Sequence, residues 1–72
     1  MKVGTKVRLT QEVDRYPHFI APEGATGEII EVILGNVVVQ MDDYLKGADE
    51  WDNCIWFGNG LGDPAEDLEI VA

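Results

Sequence analysis

Apolar and polar residues alternate from the start of the chain. Val7 and Leu9 are separated by Lys6, Arg8 and Thr10, and this period of two across residues 2–10 predicts a strand buried on one face. Residues 11–23 break the alternation. Pro17 and Pro22 interrupt them, so neither a helix nor a central strand is expected, and the segment reads as a long loop packed down by Tyr16, Phe19 and Ile20. Gly24-Ala25-Thr26-Gly27 then opens a second strand over residues 27–33. A Leu34-Gly35-Asn36 turn leads into a third, residues 37–42, with Val37, Val39 and Met41 on the inward phase and Val38, Gln40 and Asp42 on the other. Two β-branched runs joined by a Gly-Asn turn are a hairpin signature. Within it Ile29 points inward while Ile30 and Val32 fall out of phase, which a β-bulge near Glu31 reconciles.

Residues 43–53 are polar and have room for at most one turn of helix. Cys54-Ile55-Trp56-Phe57 is a short aromatic strand, and the three glycines in residues 58–62 make a loop. Asp63-Pro64-Ala65-Glu66 places a capping carboxylate before a proline and a glutamate, the pattern of a single helical turn. A last strand over residues 68–71 ends the chain. These elements predict one all-β domain spanning residues 1–72. Its architecture is a small five-stranded barrel, closed or nearly so, with a long loop after strand one and a short helical turn before the last strand. Its core is expected around Val7, Leu9, Ile29, Val37, Val39 and Leu68.

Composition adds a strong electrostatic bias. Fourteen acidic residues against five basic ones give a net charge of −9, and four of the five cations (Lys2, Lys6, Arg8 and Arg15) lie in the first fifteen residues. From Met41 onward Lys46 is the single cation. Such a surface repels phosphate backbones and anionic lipid, so neither nucleic acid nor a membrane is expected as a partner. With 72 residues and one cysteine, the chain has no intramolecular disulfide and no multi-thiolate metal site, and Cys54 reads as a small buried hydrophobe. No apolar run reaches signal-peptide or membrane-span length, which points to the cytoplasm.

Little in the chain points to catalysis. His18 is the only histidine and there is no serine to pair with it, so it reads as a loop or surface residue. Asp42, Asp43, Asp49, Glu50 and Asp52 are the sort of oxygen donors a hard cation takes, but their spacing is not that of an EF-hand and they read as a solvated loop. Gly24 and Gly27 lead into a strand, whereas a phosphate cradle leads into a helix. No catalytic residue, cofactor or metal is therefore expected. The aromatic residues offer more. Trp51, Trp56 and Phe57, with Tyr16 and Phe19 from the loop, have the makings of a groove for an extended peptide. Trp56 leans toward core packing, whereas Trp51, set between Glu50 and Asp52, is the stronger candidate for contact with a partner.

The order of these motifs resembles the SH3-like barrels, especially small ones with a KOW-like hairpin, such as the E-type polypeptide of photosystem I and the variable chain of ferredoxin-thioredoxin reductase. The residues carrying the resemblance are Gly4-Thr5-Lys6-Val7-Arg8-Leu9, Gly24-Ala25-Thr26-Gly27-Glu28-Ile29, Val37-Val38-Val39-Gln40-Met41-Asp42 and Asp67-Leu68-Glu69-Ile70-Val71. The resemblance implies a fold and a scaffold or docking role, and carries no functional residue across. The expected function is a non-catalytic interaction module that meets a basic protein, or a second copy of itself, through Tyr16, Phe19, Asp43, Tyr44, Glu50, Trp51, Asp52 and Trp56. Two alternatives stand beside it: an acidic mimic of nucleic acid that occupies a DNA- or RNA-binding protein, and a homo-oligomeric barrel enzyme.

Overall fold

A computed structural model describes residues 1–71. In chain order the strands are β1 (Lys6–Leu9), β2 (Val13–Arg15), β3 (Phe19–Ala21), β4 (Thr26–Ile33), β5 (Asn36–Met41), β6 (Cys54–Phe57) and β7 (Leu68–Ile70). A 3₁₀ turn (Asp49–Trp51) precedes β6, and a one-turn helix, α1 (Pro64–Asp67), precedes β7. Five of the strands form one antiparallel sheet in the order β6-β5-β4-β1-β7. The class is all-β.

All six residues expected to found the core are buried, and Val13, Ala21, Met41, Leu45, Ala48, Ile55 and Phe57 join them. The eight-residue β4 pairs with β1 through its first residues and with β5 along its whole length. Its register shifts between Ile29 and Glu31, where the phase conflict required a bulge. At the far end the Asp63 carboxylate accepts the Ala65 N–H at 2.9 Å and Pro64 begins α1, as the capping pattern predicts. The Asp67 carboxylate is buried but satisfied. It accepts from Gln11 Nε2 at 2.6 Å and from the Asp63 N–H at 3.2 Å, tying α1 to the segment after β1.

Three expectations need correction. Residues 11–23 are not only a loop, because β2 and β3 pair within them as a hairpin, with Val13 opposite Ala21 and Arg15 opposite Phe19. Pro17 sits in the hairpin turn and Pro22 follows β3, so neither takes an amide from the ladder, and Val13 and Ala21 fix the hairpin by entering the core. The sheet is also not closed: among the described residues no ladder joins β6 to β7. These outer strands are only four and three residues long. Finally, Trp56 does not fill the core, being 41% exposed. In β6 the inward phase is taken by Ile55 and Phe57, and Trp56 stands on the opposite face beside its cross-strand partner Val38. Val38, outside the main core and only 5% exposed, belongs to that second apolar surface.

Candidate functional site

The hairpin and the connection before β6 converge on β6. Arg15, the last residue of β2, sends its guanidinium across to the end of the sheet. There one nitrogen donates to the Trp56 carbonyl at 3.1 Å and to the Leu61 carbonyl, and the group lies 5.5 Å from the centre of the Phe57 ring. Burial pulls the Arg15 guanidinium below its ordinary pKa while the charge of Asp67 opposes that shift. The hairpin is thus pinned to the rim of β6 by a charged donor whose acceptors are backbone carbonyls.

From the other side comes the connection 42–53, which folds around one side chain. Asn53 Oδ1 accepts the Leu45 N–H at 2.6 Å, and Nδ2 donates to the Asp43 and Met41 carbonyls at 2.8 and 3.2 Å. Leu45 and Ala48 are buried beneath it. Gly47, at φ +96°, packs against the His18 carbonyl so closely that a Cβ would collide with it. The connection therefore sits directly on the hairpin, which brings Trp51 to His18 (ring centroids 4.9 Å apart, planes at 73°) and to Phe19 (6.0 Å, 59°). Edge-on and tilted contacts of this kind are the favourable arrangement for aromatic rings.

Between the two arms lies an open groove of about 350 Å³. Arg15, His18 and Phe19 form its hairpin wall, Trp51 and Leu61 its flanks, and Cys54 and Trp56 its β6 side. Phe19, Trp51 and Trp56 are thus brought together as the aromatic pattern implied. Tyr16 is not: it is 82% exposed in the hairpin turn and does not line the groove. Phe57, expected in the groove, is wholly buried in the core instead. Asp43, Tyr44, Glu50 and Asp52 are exposed on the connection, with Glu50 and Asp52 flanking Trp51 in sequence. Tyr44 donates its hydroxyl to Asp49 Oδ2 at 3.0 Å, and that bond to a carboxylate raises the phenol's pKa.

Sequence reasoning missed Arg15, Cys54 and Leu61 as lining residues and read His18 as loop surface. One signal was available, since Arg15 is the only lysine or arginine between Arg8 and Lys46 and lies in an otherwise acidic segment. Two other cations are engaged elsewhere. Lys6 pairs with Glu28 at 2.7 Å and Arg8 with Glu69 at 2.9 Å, both across strands on the exposed side of β1.

Cys54 faces the groove but is only 5% exposed, and burial, with Asp52 adding to it, pushes its thiol above the ordinary range. Because burial penalises the thiolate, the native state loses stability as pH rises from the thiol's ordinary value in the unfolded chain toward the raised value in the folded one. The native protein should therefore react with iodoacetamide far more slowly at mildly alkaline pH than the urea-unfolded chain, as followed by mass spectrometry. Equal rates would show an open, unshifted thiol.

Comparison with protein-family models, with curated proteins and with solved structures gave no match. The groove's chemistry rests on its own residues.

Proposed function

We propose that the protein is a non-catalytic docking module that receives a basic protein partner in the groove between the β2–β3 hairpin and β6. One observation carries this reading: aromatic side chains from three separate segments meet in a single open groove, and the segments that form its walls are acidic. The connection 42–53 holds Asp42, Asp43, Asp49, Glu50 and Asp52 against Lys46 alone, and the hairpin segment holds Glu12, Asp14 and Glu23 against Arg15, which is turned onto carbonyls. Aromatic anchors with a charged rim supply affinity from the rings and steering from the charges. A phosphate-bearing partner is disfavoured by the same charges and by the engagement of Lys6 and Arg8 with glutamates.

We read the sheet as an SH3-like barrel left open between its outer strands. Supporting this are the place of β7 beside β1, the insertion of the hairpin between β1 and β4, the bulge that bends β4 and the helical turn before β7. Among the described residues no helix is long and apolar enough to cross a membrane. A cytoplasmic location fits a buried, unpaired Cys54.

The test uses tryptophan fluorescence during titration with poly-L-lysine and with poly-L-glutamate. Poly-L-lysine should bind at low ionic strength and weaken steeply with salt, while poly-L-glutamate should not bind. Because a polycation is drawn to any acidic surface, the deciding comparison is Trp51→Ala with Trp56→Ala, followed by calorimetry. Loss of two partly exposed anchors should weaken binding by about tenfold or more without unfolding the chain. Undiminished binding by the double variant would remove the groove from the proposal.

A further inference from the structure

The side chains that line the groove include the rings of Phe19, Trp51 and Trp56 and one cation, Arg15, but no carboxylate. The acidic residues stand on the segments around it. Arg15 still has donors to give. Both of its hydrogen bonds, to the Trp56 and Leu61 carbonyls, leave from Nη2, and among the described residues nothing accepts from Nε or Nη1. No nitrogen of Arg15 is both buried and without a partner, so these two remain within reach of water. The groove therefore joins an apolar, aromatic lining to a charged group with N–H bonds to offer.

An occupant that covers Arg15 takes water from those N–H groups and has to supply an acceptor in its place, because a donor left dry and unpaired is destabilising. That requirement sorts the side chains a protein partner can present. Phenylalanine and leucine suit the rings but carry no acceptor, and tryptophan carries only a donor. Lysine and arginine set a second cation against Arg15 and again bring only donors. Aspartate and glutamate bring an acceptor without a ring, and their charge meets Glu50 and Asp52 on either side of Trp51, and Asp67, whose charge already acts on Arg15. Tyrosine combines a flat apolar body with a neutral oxygen that accepts. Resting on the docking role proposed above, we infer that the partner residue entering the groove is a tyrosine. Its ring packs among Phe19, Trp51 and Trp56, and its oxygen accepts from the free side of the Arg15 guanidinium. The hydroxyl proton is left to water, since the groove is open, and a volume of about 350 Å³ admits one such ring. The partner's basic residues then lie outside the groove, over the carboxylates of the connection 42–53, so the acidic rim and the cationic floor recognise different parts of one segment.

Four short peptides test this, with the same arginine-glycine flanks and one central residue: tyrosine, phenylalanine, p-carboxyphenylalanine or alanine. Affinity is read by calorimetry at low ionic strength, and the site by the NMR signals of the Arg15 guanidinium N–H groups in the native protein, which leaves the hairpin pinned as it is. The tyrosine peptide should bind about fivefold more tightly than the phenylalanine peptide, the ratio expected from one net hydrogen bond, and should move the Arg15 signals downfield of their position with phenylalanine. The alanine peptide should bind about tenfold or more weakly than the phenylalanine one, having lost the ring. If phenylalanine matches or exceeds tyrosine, or the Arg15 signals are the same with both, the tyrosine is overturned while the docking role survives. Tightest binding by the carboxyl-bearing peptide would also overturn it, in favour of an acidic occupant. If none of the four binds at low salt, both readings fall.

Discussion

Gly27→Val is expected to lower the midpoint of thermal unfolding by roughly 10–20 °C, the shift that about 2–3 kcal/mol produces in a domain of this size. Gly27 lies where β4 is paired on both sides, with Val7 of β1 on one and Met41 of β5 on the other. A Cβ placed there would stand 2.6 Å from the Gln40 carbonyl oxygen and 2.7 Å from Val39 Cγ1. The oxygen belongs to the backbone of β5 and cannot retreat without disturbing the ladder. Relief must come from separating the two longest strands, and valine's γ carbons increase the crowding. A chain of 72 residues has roughly 4–11 kcal/mol of stability in all, so this loss is a large share of it. Circular dichroism melts of both proteins measure it, and a midpoint within a few degrees of the native one would mean that β4 and β5 separate there at little cost.

The same residue shows how far the sequence could be read. Gly24 and Gly27 marked the start of β4, the out-of-phase pair Ile30 and Val32 marked its bulge, and Asp63-Pro64 marked α1, because turn, bulge and cap chemistry is local. That Gly27 is indispensable for space rather than for backbone freedom depends on β5 lying against it, which local pattern does not contain. The hairpin was hidden for a related reason. Its strands are three residues each, and what fixes them is the burial of Val13 and Ala21 against distant β-strands rather than any alternation of their own.

The site was legible only in its aromatic part. Phe19, Trp51 and Trp56 stood out because exposed rings are costly unless they pack or bind. The choice between Trp56 and Phe57 for the core could not be made from their adjacency, since strand phase admits one of them and the phase is set by Val37 and Val39 across β5. Arg15 and His18 joined the groove through tertiary placement of the hairpin. The carboxylates of residues 42–52 marked the connection correctly as an exposed, charged segment, but nothing local disclosed that Asn53 organises it.

Asn53→Ala should cost about 2–4 kcal/mol and loosen the groove before it unfolds the sheet. The side chain closes the connection by taking the Leu45 N–H and giving to the Asp43 and Met41 carbonyls. Leu45 is buried, so its amide would lose its acceptor in a place where water has little access, a penalty of about 1–3 kcal/mol. Asn53 also holds φ at 62°, a left-handed conformation that asparagine tolerates and alanine resists by about 1 kcal/mol or more. Two further variants separate the contributions. Asn53→Gly relieves the backbone but restores no bond, so it should recover only the conformational part. Asn53→Asp retains an acceptor for Leu45 but loses both donated bonds and adds charge near Asp43 and Asp52. Urea unfolding should rank stability as native, then Asn53→Gly, then Asn53→Ala. Hydrogen exchange should rise first at Leu45 and at Ala48, whose amide bonds to the Leu45 carbonyl. With the connection loosened, Trp51 loses its fixed place against His18 and Phe19, so groove binding should weaken in conditions where β4 and β5 remain protected. If Asn53→Ala melts with the native midpoint and keeps native exchange at Leu45, the connection is held by its buried apolar residues alone, and the groove's shape does not depend on this amide.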